Sequence, residues 1–122
     1  MATFRAMQHD EIECGTTLHY ISDSGIDSGA IISISKQTLD YKRSYLHNTL
    51  SLYEKGVKGV VNAISKIENT GKCESYPVKS KGNYFSFPSE QELNDFKQKG
   101  HKLYEYLLLI VATYQHTCLQ YL

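Results

Sequence analysis

The stretch Gly15–Ile32, GTTLHYISDSGIDSGAII, limits what this chain can fold into more than any other part of it. Thr16–Ile21 is rich in β-branched and aromatic residues, the composition of a strand. Alternation places Thr17, His19 and Ile21 on one face of that strand and Leu18 and Tyr20 on the other. Ser22–Gly25 carries turn chemistry, because Ser and Asp bond their own backbone and Gly25 permits a positive φ. A second strand is expected from Ala30 to about Leu39, so the two strands span about 16–22 and 30–39. His19, Asp23 and Asp27 are the groups here that can do chemistry. Asp27 stands between loop glycines and the second strand, partly desolvated and close to exposed backbone N–H groups. That is a place for a base, and for a flat polar ligand to bind main chain.

Helical patterns flank the strand pair. Ala2–Asp10 reads as a short helix with Phe4, Ala6 and Met7 on its inner side. Arg5 on that helix has two readings: it faces the anion of a ligand, or it is solvated like most surface arginines, the commoner case. From Tyr45 to Asn69 the residues Leu46, Leu50, Tyr53, Val57, Val60, Val61, Ile64 and Ile67 recur at steps of three and four, predicting a long helix with that stripe inward. Ser44 is its expected N-cap and Gly71 its C′ residue. Gly56 and Gly59 lie inside it, each costing about 1 kcal/mol relative to alanine. Close packing against the sheet, or a kink, accounts for them. Lys55, Lys58, Lys66 and Glu68 form a wet face.

Lys72–Pro88 reads as an irregular connector with Tyr76-Pro77 and Phe87-Pro88 extended. Tyr84, Phe85 and Phe87 alternate as in a half-buried strand, which favours core over a stacking platform. Ser89-Glu90-Gln91-Glu92 is a capping box opening a helix that buries Leu93 and Phe96 and stops at Gly100. His101–Leu122 reads as a last helix. Its run Tyr106–Ala112 is buried against something, being far shorter than the ~18 apolar residues a membrane span needs.

The chain has 122 residues, 13 basic and 13 acidic side chains and no net charge. This bounds it to one small domain and gives no electrostatic case for a nucleic-acid or membrane partner. Cys14, Cys73 and Cys118 are widely spaced, which suits a reduced cytoplasmic protein and argues against a disulfide framework. His9, His19, His47, His101 and His116 include no pair at metal-ligand spacing, so no metal is expected.

The Gly15–Ile32 stretch resembles the G-x-T-L-H-x-(loop)-x-D-x-G-x-I-I segment of the formyltransferase family. That family includes methionyl-tRNA formyltransferase, glycinamide ribonucleotide transformylase and the sugar N-formyltransferases. The matching residues are Gly15, Thr17, Leu18, His19, Asp27, Gly29, Ile31 and Ile32. FRAMQHDEIECGTTLHYI and NYFSFPSEQELNDFKQKGHKLY resemble further segments, the second one found in sugar-modifying members. The resemblance implies an α/β fold, the C-terminal part of a Rossmann-like formyltransferase domain. Here that means a strand pair, a long helix at about 45–69 and two C-terminal helices, with 1–71 ending the catalytic core and 72–122 forming an extension. It implies one-carbon chemistry: transfer of a formyl group from 10-formyltetrahydrofolate to an amine, with a small-molecule acceptor such as an amino sugar nucleotide. It places Asp27 at the catalytic aspartate, and Ile21, Ser22, Asp23, Ser24, Gly25 and Ile26 in the folate-binding loop. His19 falls where the family often has a histidine that is not the catalytic one, and reads as satisfied and half-buried.

The family's upstream Asn-x-His-Pro-Ser-type motif is absent, since neither Pro77 nor Pro88 follows a histidine. The chain is therefore expected to be inactive alone and to need a complementing N-terminal half. The other reading is a non-catalytic module that associates, for example as a homodimer, through its sheet edge.

Overall fold

The computed structural model describes residues 2–21, 29–78 and 85–105. Its elements are α1 (Ala2–Gln8), β1 (Glu13–His19), β2 (Ile31–Thr38), α2 (Tyr45–Thr70) and α3 (Glu90–Gln98). β1 and β2 pair antiparallel, from Glu13 opposite Thr38 to His19 opposite Ile31, with an irregularity between Leu18 and His19. Cys14, Thr16 and Leu18 are the more covered residues of β1, while Glu13, Gly15 and Thr17 are exposed. The sheet thus has one face against α2 and one open face, the alternation expected of a half-covered strand pair.

The helix ends follow the sequence signals. Ser44 caps α2 by accepting from the His47 N–H, and Gly71 closes it with φ 75. Ser89 and Glu92 form both halves of a capping box on α3. Just after α1 the chain turns at Asp10, whose φ of 55 is a left-handed conformation that aspartate tolerates. Residues 101–105 depart from expectation, because they are not helical. The Tyr45 and Leu46 N–H groups donate instead to the carbonyls of Lys102 (2.7 Å) and Leu103 (3.0 Å). An extended strand of chain thereby satisfies donors that the first turn of α2 leaves open. Residues 106–122, expected as the body of that last helix, lie outside the described residues.

The buried core gathers where α1, α3 and the approach to α2 meet. Phe4, Met7, Leu39 and Phe96 form it, with Ala6, Cys14, Tyr45, Leu93 and Leu103 packed around. Phe4 stacks on Phe96 at 4.5 Å between centroids and meets Tyr45 edge-on at 6.2 Å. Asn48 is buried beside this core with every polar atom used. Its Oδ1 accepts from the Asp40 N–H (2.9 Å), and its Nδ2 donates to the carbonyls of Asp40 and Ser44 (3.0 Å each).

Three expectations are corrected. Arg5 is not solvated. It is buried, ion-paired with Glu92, bonded to Gln8 Oε1 (2.8 Å) and set 5.2 Å from the Phe85 ring centroid. It therefore ties α1 to α3. Phe85 and Phe87 are not core: they are 46% and 84% exposed, because 85–88 is an irregular surface segment without a strand's covered face. Tyr84 lies outside the described residues. The apolar stripe of α2 is also not its inner face. Leu52 and Ala63 are the buried apolar residues of α2, and Gly56 and Gly59 lie against Thr16 and Ser33 of the sheet. The glycines do mark close packing, as the sequence suggested, but the stripe Tyr53, Val57, Val60, Val61 and Ile64 is exposed.

Candidate functional site

The base of the loop between β1 and β2 is built by main chain. The Tyr20 N–H donates to the Ala30 carbonyl at 3.0 Å, one step beyond the His19–Ile31 pair. Gly29 is buried and runs so close to the returning strand that a Cβ there would lie 1.5 Å from the Tyr20 carbonyl oxygen. Only a residue without a side chain fits, which is the physical reason for a glycine two positions after Asp27. Nδ1 of His19 lies 3.0 Å from the same Tyr20 carbonyl. A carbonyl only accepts, so in that contact Nδ1 is the donor. His19 is half-buried and hydrogen-bonded, as its sequence context indicated.

A second wall comes from the connector. The Tyr20 hydroxyl donates to the Cys73 carbonyl (3.0 Å) and accepts from the Cys73 N–H (3.1 Å). Ile31 and Tyr76 exchange both backbone bonds, at 2.8 and 2.9 Å, so Tyr76 adds an isolated bridge to the β2 edge. Tyr20 and Tyr76 were not singled out by sequence reasoning as supports of the loop. The available signal was the extended Tyr76-Pro77 dipeptide, which suits edge pairing because Pro77 offers no donor.

Of the residues assigned to catalysis and folate binding, Ile21 is described and is 91% exposed at the end of β1. Asp27 and Ser22, Asp23, Ser24, Gly25 and Ile26 lie outside the described residues. The geometry shows that their two ends are brought together, Tyr20 against Gly29 and Ala30. Cys14, which packs against the core, is a packing residue: burial pushes its pKa up, away from a thiolate. Among the described residues no three His, Cys, Asp or Glu side chains cluster to hold a metal ion. No helix among them is long and apolar enough to cross a membrane.

No protein-family model matches the chain. Over 80 residues it is 35% identical to a methionyl-tRNA formyltransferase of Paraburkholderia phytofirmans, covering 64% of this chain and 24% of that protein. Among solved structures it is similar to WlaRD, a sugar 3N-formyl transferase solved in the presence of dTDP and 5-N-formyl-THF. The TM-score is 0.60 and the identity 26%, over 70% of this chain and 31% of the other. It is also similar to an N-formyltransferase from Helicobacter canadensis in complex with folinic acid and dTDP-3-aminofucose. There the TM-score is 0.52 and the identity 31%, over 74% of this chain and 32% of the other. The chain thus spans about a quarter to a third of the length of these relatives, and the two-stranded sheet with its helices matches the C-terminal part of their transferase domain. Over that matched part, the chain is similar to members of the formyltransferase family.

Proposed function

We propose that this chain is the C-terminal portion of a 10-formyltetrahydrofolate-dependent formyltransferase, with an amino sugar nucleotide as acceptor. It works in a reduced, cytoplasmic setting, and it turns over only when joined by an N-terminal portion that supplies the missing Asn and His. The observation that carries the reading is the closed loop base, where Gly29 meets the Tyr20 carbonyl. It accounts for the glycine of the D-x-G motif in steric terms. Residues 1–71 then end the catalytic core and 72–122 form the extension. The solved relatives support the donor and acceptor class, since one holds folinic acid with an amino sugar nucleotide.

In the reaction the acceptor amine attacks the formyl carbon, the C–N10 bond breaks, and one proton moves from the amine to N10. Asp27 is the group that carries this proton, as a carboxylate that accepts it and then releases it. The loop Ile21–Ile26 holds the flat donor by main-chain hydrogen bonds. The oxyanion of the tetrahedral intermediate falls to the complementing portion.

The test is formyl transfer to dTDP-3-aminofucose by this chain, alone and with the complementing portion. The chain alone is expected to be silent, and measured turnover would overturn that part. Asp27→Asn is expected to lower the complemented rate by at least about 100-fold, and an unchanged rate would remove Asp27 from the mechanism. A second reading, a non-catalytic association module, is favoured by the outer edge of β1, which has no ladder partner among the described residues. Complementation that restores binding but never activity selects it.

A further inference from the structure

Helix α2 carries two faces of different use. Gly56 and Gly59 lie against the sheet, and Leu52 and Ala63, at helical steps from them, are buried. The second face carries Leu46, Leu50, Tyr53, Val57, Val60 and Ile64, spaced alternately four and three residues apart. That is the a/d spacing of a coiled-coil seam, which asks for a second helix with the same spacing. From Leu50 to Ile64 these residues are 41% to 65% exposed. An apolar stripe of this kind marks a contact surface.

The matching spacing lies in this chain's own residues 106–122. Leu107, Val111, Tyr114, Cys118 and Tyr121 again alternate steps of four and three. Wound as a helix, the segment sets these on one side and Thr113, His116, Thr117 and Gln120 on a separate polar one. The structure also fixes where the segment sets out. The Tyr45 and Leu46 N–H groups donate to the carbonyls of Lys102 and Leu103 in turn, at 2.7 and 3.0 Å, so the chain there advances in the direction of α2. Glu105 is fastened at the same place: it accepts from the Ser44 N–H at 2.9 Å and pairs with Arg43 at 2.9 Å. Residue 106 therefore follows at the foot of the stripe. At about 1.5 Å per residue, a helix over 106–122 reaches about 25 Å, against about 27 Å from Leu46 to Ile64. A partner tethered at one end is also present at an effective concentration in the ~mM range, which favours it over a second copy of the chain.

We propose that the Leu46–Ile64 stripe of α2 is the seat of residues 106–122, which lie along it as a parallel helix in a two-stranded seam. Equivalent positions of a parallel seam face each other. Leu107 then faces Leu46, Val111 faces Leu50, Tyr114 faces Tyr53 and Cys118 faces Val57. The docking needs neither Asp27 nor the folate loop, so it stands or falls apart from the catalytic reading.

The Cys118–Val57 pairing makes the test. The full chain carrying Val57→Cys is oxidised with oxidised glutathione, and the disulfides are mapped by peptide mass spectrometry after non-reducing electrophoresis. The expected result is a disulfide between the introduced thiol and Cys118 within one monomer. Lys58→Cys, one residue round the helix on the wet face, is expected to form no such link. Val111→Lys added to Val57→Cys places a charge in the seam and should slow the link at least about tenfold, whereas His116→Lys, on the polar side, should leave its rate unchanged. Introduced thiols that pair with each other across two chains would overturn the proposal in favour of a second copy on the stripe. A Cys118 that links equally well to either introduced thiol would show that the segment has no fixed seat. Amide exchange on the unaltered chain gives a reading without any substitution. Amides of Val111–Cys118 are expected to exchange at least about tenfold more slowly than in an unstructured peptide, and unstructured rates there would overturn the docking.

Discussion

Replacing Gly29 by alanine tests the loop base directly. The added Cβ would stand 1.5 Å from the Tyr20 carbonyl oxygen, 2.7 Å from its carbon and 3.1 Å from His19 Nδ1. The first two obstacles are backbone, so no rotamer change relieves them. The strand ends must separate, which gives up the 3.0 Å bond from Tyr20 N–H to Ala30. Overpacking of this kind costs about 1–3 kcal/mol and a lost hydrogen bond about 1 kcal/mol, together about 3 kcal/mol. Gly59→Ala is the matched control. Its Cβ would lie 3.6 Å from Ser33 Oγ, ordinary contact, so the helix gains about 1 kcal/mol in propensity. Urea unfolding followed at 222 nm reads both. With an m-value of ~1.5 kcal/mol/M, Gly29→Ala moves the midpoint down by about 2 M, or leaves the chain unfolded without denaturant. Gly59→Ala moves it up by about 0.7 M. Equal stability of Gly29→Ala and the unaltered chain would refute the closed base, and a loss at Gly59 would refute the packing of α2 on β2.

Three further outcomes are expected. The Arg5 guanidinium beside Glu92, helped by the Ser89 N–H, holds that carboxyl down to about 2. Its folded pKa lies below the unfolded value, so the stabilisation is present above pH ~4.5 and is lost as pH falls through 2. Glu92→Gln should flatten the acid limb of Tm against pH, and an unchanged limb would show that the pair contributes nothing there. Asn48→Leu leaves the Asp40 N–H without its acceptor, while the Asp40 and Ser44 carbonyls keep the N–H groups of Arg43 and Asn48, and should cost about 1 kcal/mol in urea unfolding, a value near zero being the refuting result. Ser44→Ala removes the α2 cap and should cost about 1 kcal/mol, read as a fall in Tm.

How much of this was legible in the sequence depended on whether the cause was local. Caps at Ser44, Gly71 and Ser89 are short-range chemistry, and each stands where its residue type predicts. The strand pair was legible from alternation, although β1 begins at Glu13, earlier than its β-branched run, because pairing with Thr38 extends it. Arg5 was misread because its partner, Glu92, is 87 residues away, and spacing within a helix says nothing about such a contact. Asn48 was missed for the same reason: a polar residue inside an apolar pattern looks solvent-facing until the chain before the helix folds over it. Helix α2 was read correctly as a helix and wrongly as to its face. Periodicity reports that a face is apolar, and it cannot report which of two adjacent apolar faces is covered by the elements present.

The buried core lies at the Leu39 end of the strand pair, where the Leu39 N–H donates to the Ile12 carbonyl at 2.9 Å beside Phe4, Met7 and Phe96. The opposite end, at His19 and Ile31, is held by the Tyr20–Ala30 bond, the Ile31–Tyr76 pair and the Tyr20 hydroxyl on Cys73. None of these residues is fully buried. Local opening follows such differences in burial, so the end that carries the loop should open at lower free energy than the end that carries the core. Amide exchange on the free chain is expected to show Leu39 protected at least about tenfold more than Tyr20 and Ile31, a difference of ~1.4 kcal/mol in opening. Equal protection at both ends of the free chain would mean that the loop base is as rigid as the end that carries the core.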